Sequence, residues 1–346
     1  MRIAIIGQQA FGKSVFEAFL ARGDEVAGVF CAPEKPGARP DPLRLAAAAA
    51  NIRVLQLTSL KTSEAEQALR DLDVDLAVMA YVLQFAPQSF VNIPRHGTIQ
   101  YHPSLLPRHR GPSSINWPLI MGETQTGLTI FRPTDGLDEG PILLQTTVAI
   151  GPDDTLGGVY FDHLFPMGVA AMLEAADLVV AGRQTEIPQD ESLATYEGWC
   201  RDAEAEINWY SPVEAVYNLI RGCIPAPGAW TTVHERKVRI LEARKHVARR
   251  FADVAGKPGE ITAIGKESVT VAVQGGSVEL LQVRVEGGEK SSAAAFCAAL
   301  GLVAGSRLNI AVPTATTGPD AATPAPASAK ESPRHPARHA KETEPA

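Results

Sequence analysis

The first 81 residues alternate between short apolar runs and segments with helical spacing, and this alternation constrains the fold more than any other feature. An opening apolar run at 3–6 precedes a segment, 11–22, whose apolar residues recur every three or four positions. Further apolar runs at 26–30, 54–55 and 76–81 enclose helical segments at 43–50 and 63–69. Strands that alternate with helices in this way form a mostly parallel sheet with helices on both faces. The chain is therefore predicted to begin with an α/β domain.

The sequence changes character after residue 98, and these changes set the end of the first domain. Short apolar runs at 98–101, 128–131 and 142–146 are separated by loops rich in proline, glycine, arginine and aspartate. A long apolar segment at 156–180 predicts the last helix of the domain, and a polar stretch at 184–195 predicts a linker. We therefore expect the first domain to cover residues 1–190.

A second domain is predicted over residues 200–311. A helical segment at 213–221 is followed by four runs that alternate apolar and polar residues, at 238–241, 260–264, 268–273 and 277–285. The pair Gly275-Gly276 before the last run predicts a hairpin turn. Short strands joined by tight turns indicate a small β-barrel. Beyond residue 311 the chain is rich in Pro, Ala and Thr and then in charged residues, so 312–346 is predicted to be a disordered tail.

Composition narrows the class of protein. The chain has 39 acidic and 32 basic residues, a net charge of −7, so it lacks the overall basic field of many nucleic-acid binders. Its four cysteines lie far apart without a C-x-x-C pair, which argues against zinc-ribbon and thioredoxin-like sites and fits a reducing compartment. The first apolar run is too short for a signal peptide, and no later stretch is expected to span a membrane. We expect a cytoplasmic protein without a membrane partner.

Residues 7–14 match the P-loop pattern G-x-x-x-x-G-K-[ST] between a predicted strand and a predicted helix. In a nucleotide site, backbone N–H groups would wrap the phosphates, Lys13 would reach them and Ser14 would bind magnesium. The alternative is a plain strand-to-helix turn with a solvated Lys13. A P-loop also requires a second strand that ends in an aspartate, whereas Asp75 begins an apolar run. We favour the plain turn, and the G-x-G-x-x-G dinucleotide fingerprint is absent as well.

A denser group of polar residues surrounds His102 and Asp138. His102 ends a predicted strand and is followed by a loop, 103–111, that holds two prolines. An acidic, glycine-rich loop brings Asp138, 36 positions after His102. Since ligands of open α/β sheets bind beyond the carboxyl ends of strands, the two side chains are predicted to meet in one crevice. A histidine beside a carboxylate is suited to the proton transfers of acyl transfer near neutral pH.

These residues also have simpler interpretations. A histidine after a strand is often a structural hydrogen-bonding group, and Asp135-Gly136 alone is typical of a turn. His102, His109 and the two aspartates could instead bind a metal, but they show no recognisable ligand spacing, so no metal is expected.

Taken together, the two loops resemble a known family. The run His-Pro-Ser-Leu-Leu-Pro-x-x-Arg-Gly at 102–111, with Asp-x-Gly-x-Ile at 138–142, is similar to the pattern of 10-formyltetrahydrofolate-dependent formyltransferases. That family includes methionyl-tRNA, glycinamide ribonucleotide and sugar-nucleotide formyltransferases. The resemblance extends furthest to the hydrolase domain of 10-formyltetrahydrofolate dehydrogenase. It includes matches at 5–8, 84–87, 115–117, 194–198 and 227–230, and covers almost all of residues 1–310.

The resemblance implies a Rossmann-like catalytic domain followed by a small barrel resembling an OB-fold. It implies that His102 stabilises an oxyanion or transfers a proton, and that Asp138 holds His102 and relays protons. It also implies a folate donor, 10-formyltetrahydrofolate, and no NAD(P), since no aldehyde dehydrogenase domain is seen in the chain. The folate cleft would be lined by Gln84, Phe85 and Ala86, by Ser104, Leu105, Leu106 and Pro107, and by Asp135, Gly136, Leu137 and Asp138.

One position departs from the family pattern. Transferases of the family carry an asparagine two residues before the histidine as an oxyanion donor, and this chain has Gln100 there. Its amide could serve the same role from one methylene further away. The acceptor is therefore left open between an amine and water. Among amines, methionyl-tRNA, a sugar nucleotide and a small amine stay equally open. The loop at 34–40 is short and only lightly basic, which counts against tRNA. The second domain holds basic residues that could contact phosphates, namely Lys237, Arg239, Arg244, Lys245, Arg249 and Arg250.

Overall fold

The computed structural model describes residues 1–250 and 253–308, so the predicted tail at 312–346 lies outside the described residues. Up to residue 180 the chain forms one seven-stranded sheet and the helices that cover it. The strands are β1 (Arg2–Gly7), β2 (Glu25–Cys31), β3 (Val54–Gln56), β4 (Leu76–Ala80), β5 (Thr98–His102), β6 (Gln125–Phe131) and β7 (Ile142–Ala149). The helices are α1 (Gln9–Arg22), α2 (Pro42–Ala49), α3 (Ser63–Arg70), α4 (Gln88–Val91), α5 (Asn116–Ile120), α6 (Leu156–Gly158) and α7 (Phe165–Val180).

The sheet confirms the predicted α/β architecture. Its strand order is β3-β2-β1-β4-β5-β6-β7, and every pair from β3 to β5 is parallel. The order changes direction between β1 and β4, which is where open sheets of this kind leave a crevice beyond the strand ends. The last two strands differ: β6 runs antiparallel to β5, and β7 runs antiparallel to β6.

Helices on both faces of the sheet bury two separate apolar clusters. On one face, α1, α2 and α7 cover the sheet, and Phe11 of α1 stacks on Tyr101 of β5 with ring centroids 4.3 Å apart. On the other face, α3 and α4 cover a smaller cluster that includes Leu69 and Phe90. Burying one large apolar side chain contributes about 1.5–3 kcal/mol. Because both faces are covered, the central parallel strands β1, β2 and β4 are nearly continuous apolar runs, and such runs are recognisable in the sequence.

The apolar segment at 156–180 is one continuous helical stretch, with a π-helical turn at Val159–Leu164 between α6 and α7. Its 25 residues and a mean hydropathy of 1.4 would suffice to cross a membrane, which corrects the expectation that no stretch is long enough. One face of α7, with Ala171, Met172 and Ala175, is buried in the core against the sheet. Packing in the core accounts for the apolar residues on this face, and 39% of the apolar window is buried.

The second half of the described chain contains an antiparallel sheet and two helices. The elements are α8 (Val213–Gly222), β8 (Trp230–Val233), β9 (Arg236–Val247), β10 (Ile261–Ile264), β11 (Val269–Val273), β12 (Gly276–Val285), β13 (Lys290–Ser292) and α9 (Ala293–Ala299). The strands pair in the order β10-β11-β12-β9-β8, and β13 pairs with β12. The predicted hairpin joins β11 to β12, where Gly275 has a φ of +78°.

The strands of this second sheet curve around a common apolar interior. Val233 of β8, Val238 of β9, Ile261 of β10 and Val269 of β11 line one small cavity together with Phe296 of α9. Strands from both ends of the pairing order thus contribute to the same interior, as expected of a small barrel.

Candidate active site

His102 is the last residue of β5 and lies at the edge of the core. It pairs with Thr129 of β6, and it is 6% exposed. Side chains alternate along a strand, so Gln100 lies on the same face of β5 as His102, about 7 Å further from the strand end. Tyr101 between them lies on the opposite face, where it stacks on Phe11. Gln100 is partly buried.

Asp138 reaches His102 from the loop between β6 and β7, residues 132–141. Because β6 runs antiparallel to β5, it ends beside Gln100 rather than beyond His102, and the loop must double back. Asp138 has a left-handed backbone conformation, with a φ of +55°. Its Oδ2 atom lies 3.6 Å from His102 Nδ1, and both side chains are buried. The structure thus brings the two predicted residues together, with Asp138 on a loop that turns back toward the end of β5.

The hydrogen bonds around this pair determine which nitrogen of His102 carries a proton. His102 Nε2 lies 2.9 Å from the backbone carbonyl oxygen of His109, which can only accept, so Nε2 donates to it. Asp138 Oδ2 accepts from the backbone N–H of Gly111 at 2.8 Å. His102 Nδ1 therefore faces the carboxylate, beyond the length of a direct hydrogen bond. Nδ1 is the atom through which His102 can exchange a proton with Asp138 or with a group that enters beside them.

The second histidine of the loop, His109, has a different environment. Its ring lies between two carboxylates, with Nε2 3.1 Å from Glu123 Oε1 and Nδ1 3.2 Å from Glu197 Oε2. The metal hypothesis grouped this ring with His102, Asp135 and Asp138. In the structure the ring instead contacts Glu123 and Glu197. Within the part of the chain that the structure describes, no group of three or more His, Cys, Asp or Glu side chains is arranged to hold a metal ion.

The loop after His102 is fixed by Thr129. The hydroxyl of Thr129 donates to the Ser104 carbonyl oxygen at 2.7 Å and accepts from the Leu106 N–H at 3.2 Å. Ser104 Oγ in turn donates to the Arg108 carbonyl oxygen at 2.7 Å, and both Ser104 and Leu106 are buried. These two predicted folate-lining side chains therefore support the loop, whereas Leu105 and Pro107 are partly exposed.

The other two predicted folate loops are joined to each other. The backbone N–H of Gln88, at the start of α4, donates to Asp135 Oδ1 at 2.9 Å. Phe85 and Leu137 are 43% and 54% exposed, so each loop presents an apolar side chain to solvent. Exposed apolar surface beside loop peptide groups is suited to a planar heteroaromatic ligand.

Two residues of the first of these loops have supporting roles. The side chain of Gln84 donates to the Leu57 carbonyl oxygen at 2.8 Å. Ala86 is buried with the cluster under α3 and α4. Both side chains therefore help to hold the loop in place.

The P-loop-like segment has a packing role. A Cβ atom on Gly7 would lie 2.1 Å from the carbonyl oxygen of Ala80, so the close approach of β1 and β4 requires glycine there. The N–H of Gln9 at the start of α1 donates to Asp41 Oδ2 at 2.8 Å, and a carboxylate thereby takes the position that a phosphate would need. Lys13 lies 3.5 Å from Glu17 on the helix surface. These contacts favour the strand-to-helix turn over a nucleotide site.

The sequence did not identify the residues around the site that support its loops. Arg110 is fully buried, and the linker supplies its partners Gln189, Glu191 and Tyr196. Hydrogen bonding to Glu191 raises the pKa of Arg110 further above its ordinary value. Arg110 and Tyr196 lay within stretches that carried the resemblance, but nothing in the sequence paired them.

Two family models match the chain on either side of the linker. A model described as formyl transferase matches residues 1–173, and one described as formyl transferase, C-terminal domain, matches residues 200–301.

Two curated proteins and one solved structure show how far the similarity extends. The chain is 42% identical over 243 residues to human mitochondrial 10-formyltetrahydrofolate dehydrogenase, which covers 69% of the chain but 26% of that protein. The chain thus spans about a quarter of the length of that relative. It is 34% identical over 313 residues to the methionyl-tRNA formyltransferase of Geobacter metallireducens, covering 89% of the chain and 98% of the relative. The crystal structure of WlaRD, a sugar 3N-formyl transferase, superposes with a TM-score of 0.62 at 15% identity, covering 81% of the chain and 97% of WlaRD.

Proposed function

The chain belongs to the formyl transferase family, and on that premise we propose that it transfers the formyl group of 10-formyltetrahydrofolate to an amine. The observation that carries the proposal is the buried contact between His102 and Asp138 at the end of β5, 3.6 Å between Nδ1 and Oδ2. A folate donor is supported by the WlaRD structure, which was obtained in the presence of 5-N-formyl-THF. The residues that act on the donor are part of the proposal.

We propose that the folate ring lies between the 84–88 and 135–138 loops. Phe85 and Leu137 supply apolar surface there, and Asp135 ties the loops together through the N–H of Gln88. Leu105 and Pro107 contribute from the third loop, while Gln84, Ala86, Ser104, Leu106 and Gly136 shape the backbone of the cleft. Since the loops are already joined, little conformational entropy is lost when the donor binds.

The reaction requires charge stabilisation and two proton movements. The amine attacks the formyl carbon, negative charge develops on the formyl oxygen, and the bond from that carbon to N10 of the folate breaks. His102 is assigned to stabilise the developing charge or to donate a proton, and Gln100, on the same side of β5, is assigned as a second donor. Asp138 accepts the proton that the amine loses and returns one to N10 as it leaves. Proton transfer of this type contributes about 10²–10⁴-fold to rate.

Hydrolysis is the alternative function, in which water takes the place of the amine and formate is released. The identity of 42% to 10-formyltetrahydrofolate dehydrogenase favours this alternative. The glutamine at position 100, where the transferases of the family carry asparagine, supports it as well. Among amine acceptors, methionyl-tRNA and an amino-sugar nucleotide are the candidates that correspond to the named relatives.

The proposal includes the domain organisation and the location. We assign residues 1–190 to the catalytic domain and 200–311 to the C-terminal domain, in line with the two matched ranges. We place the enzyme in the cytoplasm.

The test is to incubate purified protein with 10-formyltetrahydrofolate and to follow tetrahydrofolate and formate, with and without candidate amines. We expect tetrahydrofolate to appear at a rate that depends on an amine, and this rate to disappear in His102→Ala. If formate is released at the same rate with and without an amine, the transferase proposal is overturned in favour of hydrolysis. No tetrahydrofolate under any condition would overturn both.

A further inference from the structure

The segment between the two matched ranges lies on the catalytic loops. We call residues 184–200 the strap. Ile187 exchanges two backbone hydrogen bonds with Ile142 at the start of β7, at 2.8 and 2.9 Å. Thr195 donates from its backbone N–H to the Pro107 carbonyl oxygen at 3.2 Å and accepts from the Arg110 N–H at 3.0 Å. The strap is therefore part of the first domain's hydrogen-bonding network, although neither family model includes residues 184–199.

Gln189 is the residue of the strap that contacts the backbone of Asp138. Its Nε2 atom donates to the carbonyl oxygens of Asp138 and Gly140, at 2.8 and 2.7 Å. Its Oε1 atom accepts from Arg110 Nη2 at 2.8 Å and from Arg110 Nε at 3.1 Å. One amide thus joins a buried guanidinium to the peptide groups on both sides of the Asp138–Gly140 turn.

The side-chain amide of Gln189 stabilises the backbone conformation of Asp138. Left-handed backbone conformations are unfavourable for residues other than glycine, and they persist only where neighbouring contacts hold them. Asp138 has a φ of +55°, and its backbone conformation determines whether Oδ2 reaches both the Gly111 N–H and His102. The two bonds from Gln189 Nε2 hold the peptide group that follows Asp138 and the one that follows Gly140, so they fix the turn on the C-terminal side of Asp138.

We propose that Gln189 is a positioning residue for the formyl-transfer site, acting through the backbone of Asp138; the inference rests on the proposed function. If Gln189 only attached the strap to the domain, its Oε1 contact with Arg110 would be enough. Its Nε2 contacts with the carbonyl oxygens of Asp138 and Gly140 would then not be needed. The two ends of the amide can be separated by substitution, because glutamate keeps the acceptor and loses the donor.

The test compares Gln189→Glu with Glu191→Gln. In Gln189→Glu the carboxylate still accepts from Arg110 but is repelled by the carbonyl oxygens of Asp138 and Gly140. Glu191→Gln is the matched control, because Glu191 contacts the same guanidinium at 2.6 and 2.8 Å from the strap. We expect kcat of Gln189→Glu to fall about 10- to 100-fold with KM for 10-formyltetrahydrofolate within about 2-fold of wild type, since a misplacement near 1 Å can cost that much. Glu191→Gln should retain kcat within about 2-fold.

A second measurement needs no turnover. Hydrogen exchange of the Gly111 amide, which donates to Asp138 Oδ2, should be faster in Gln189→Glu than in Glu191→Gln. Wild-type kcat in Gln189→Glu, or an equal loss in both variants, would overturn the inference. If the wild-type protein consumes no 10-formyltetrahydrofolate, the proposed function fails and the catalytic role with it. Gly111 exchange then still decides whether Gln189 holds Asp138 in place.

Discussion

Both sheets of the chain enclose an apolar core, but they differ in the polar side chains that they bury. Among the described residues, the C-terminal domain buries Arg221 and Thr231, whereas the first domain buries a larger set. That set comprises Asp41, Thr98, His102, Ser104, His109, Arg110, Ser114, Asn116, Thr126, Thr129 and Asp138. Five of its eleven members, Ser104, His109, Arg110, Ser114 and Asp138, lie in the loops that follow β5 and β6, which are long enough to carry their own hydrogen bonds. The antiparallel strands are joined mainly by short turns and close on an interior of valine, isoleucine and phenylalanine.

The difference shows how one chain can place its buried polar groups in one domain and a mainly apolar core in the other. Buried polar groups require partners, and a loop that crosses the end of a parallel strand can supply them from several directions. In the small barrel a buried polar group would have few such partners. We therefore expect substitutions in the first domain to change turnover more than stability, and core substitutions in the second to do the opposite.

The largest expected effect is that of His102→Ala on turnover. Removal of the imidazole should lower kcat by about 10²–10⁴-fold, because it removes the group to which we assign charge stabilisation or proton transfer. Because the buried imidazole also donates to the His109 carbonyl oxygen, some stability is lost as well, and circular dichroism should show that the variant is folded where turnover is measured. The matched control is His246→Ala in the C-terminal domain, an exposed histidine 3.1 Å from Glu279. Turnover by His102→Ala at the rate of the control would contradict the assignment.

The next largest effect is the loss of stability expected for Trp209→Ala. This side chain is fully buried in the C-terminal core, and its Nε1 donates to Thr231 Oγ1 at 3.0 Å. Trp209→Ala should lower the free energy of unfolding by about 3–5 kcal/mol, measured by urea denaturation. Tyr210→Ala, at the adjacent and 40% exposed position, should change it by about 0.5 kcal/mol or less. An equal loss in both variants would show that this core is not the source of stability.

A smaller effect is expected where the loop between β6 and β7 closes. A Cβ atom on Gly140 would lie 1.5 Å from the Arg132 carbonyl oxygen, so Gly140→Ala must displace the loop that carries Asp138. We expect a loss of about 1–3 kcal/mol in stability and a fall in kcat of at least about tenfold. Gly198→Ala is the control, because a Cβ there meets no atom within 4 Å. The displacement would be disproved by a Gly140→Ala protein that turns over like Gly198→Ala.

The smallest effect concerns the contact between the domains. Tyr217 of α8 donates to Asp153 Oδ1 at 2.9 Å, and burial, followed by this hydrogen bond, raises the pKa of Tyr217 to about 12. An unfolded tyrosine ionises near pH 10, so the folded state holds the proton more tightly. The contribution of Tyr217 to stability is therefore complete below about pH 10 and lost as pH rises toward about 12.

Urea midpoints of wild type and Tyr217→Phe measured across this alkaline range should test that contribution. The wild-type protein should lose more stability than Tyr217→Phe as pH rises, so the gap between the two narrows. If the stability of the two proteins falls in parallel as pH rises, the pKa of Tyr217 is the same in the folded and unfolded states.

The sequence predicted most of the fold because of how the strands are buried. Strands β1, β2 and β4 are nearly continuous apolar runs with helices between them, a pattern that few other folds produce. The elements that were missed are short or lack periodicity. β8 has four residues and β13 has three, and the alanine-rich α9 shows no polar face, although Phe296 packs in the core.

The site was only partly predictable, because its contacts are not local. His102 at a strand end and the acidic loop around Asp138 are visible in the sequence. The sequence did not reveal that β6 is antiparallel to β5, so that the loop with Asp138 has to turn back toward the end of β5. The contact of Gln189 with Asp138 joins positions 51 residues apart within a stretch predicted as a linker. No periodicity or motif marks a glutamine for that task.

The strap also determines where the first domain can be cut. A fragment that stops after α7 would keep every strand of the parallel sheet and would look complete by its secondary structure. It would nevertheless lack Gln189 and Glu191, so Arg110 would lose these partners and Asp138 would lose its backbone support. The smallest working N-terminal fragment therefore extends to about residue 200, and chimaeras that exchange C-terminal domains among relatives should place their junction there.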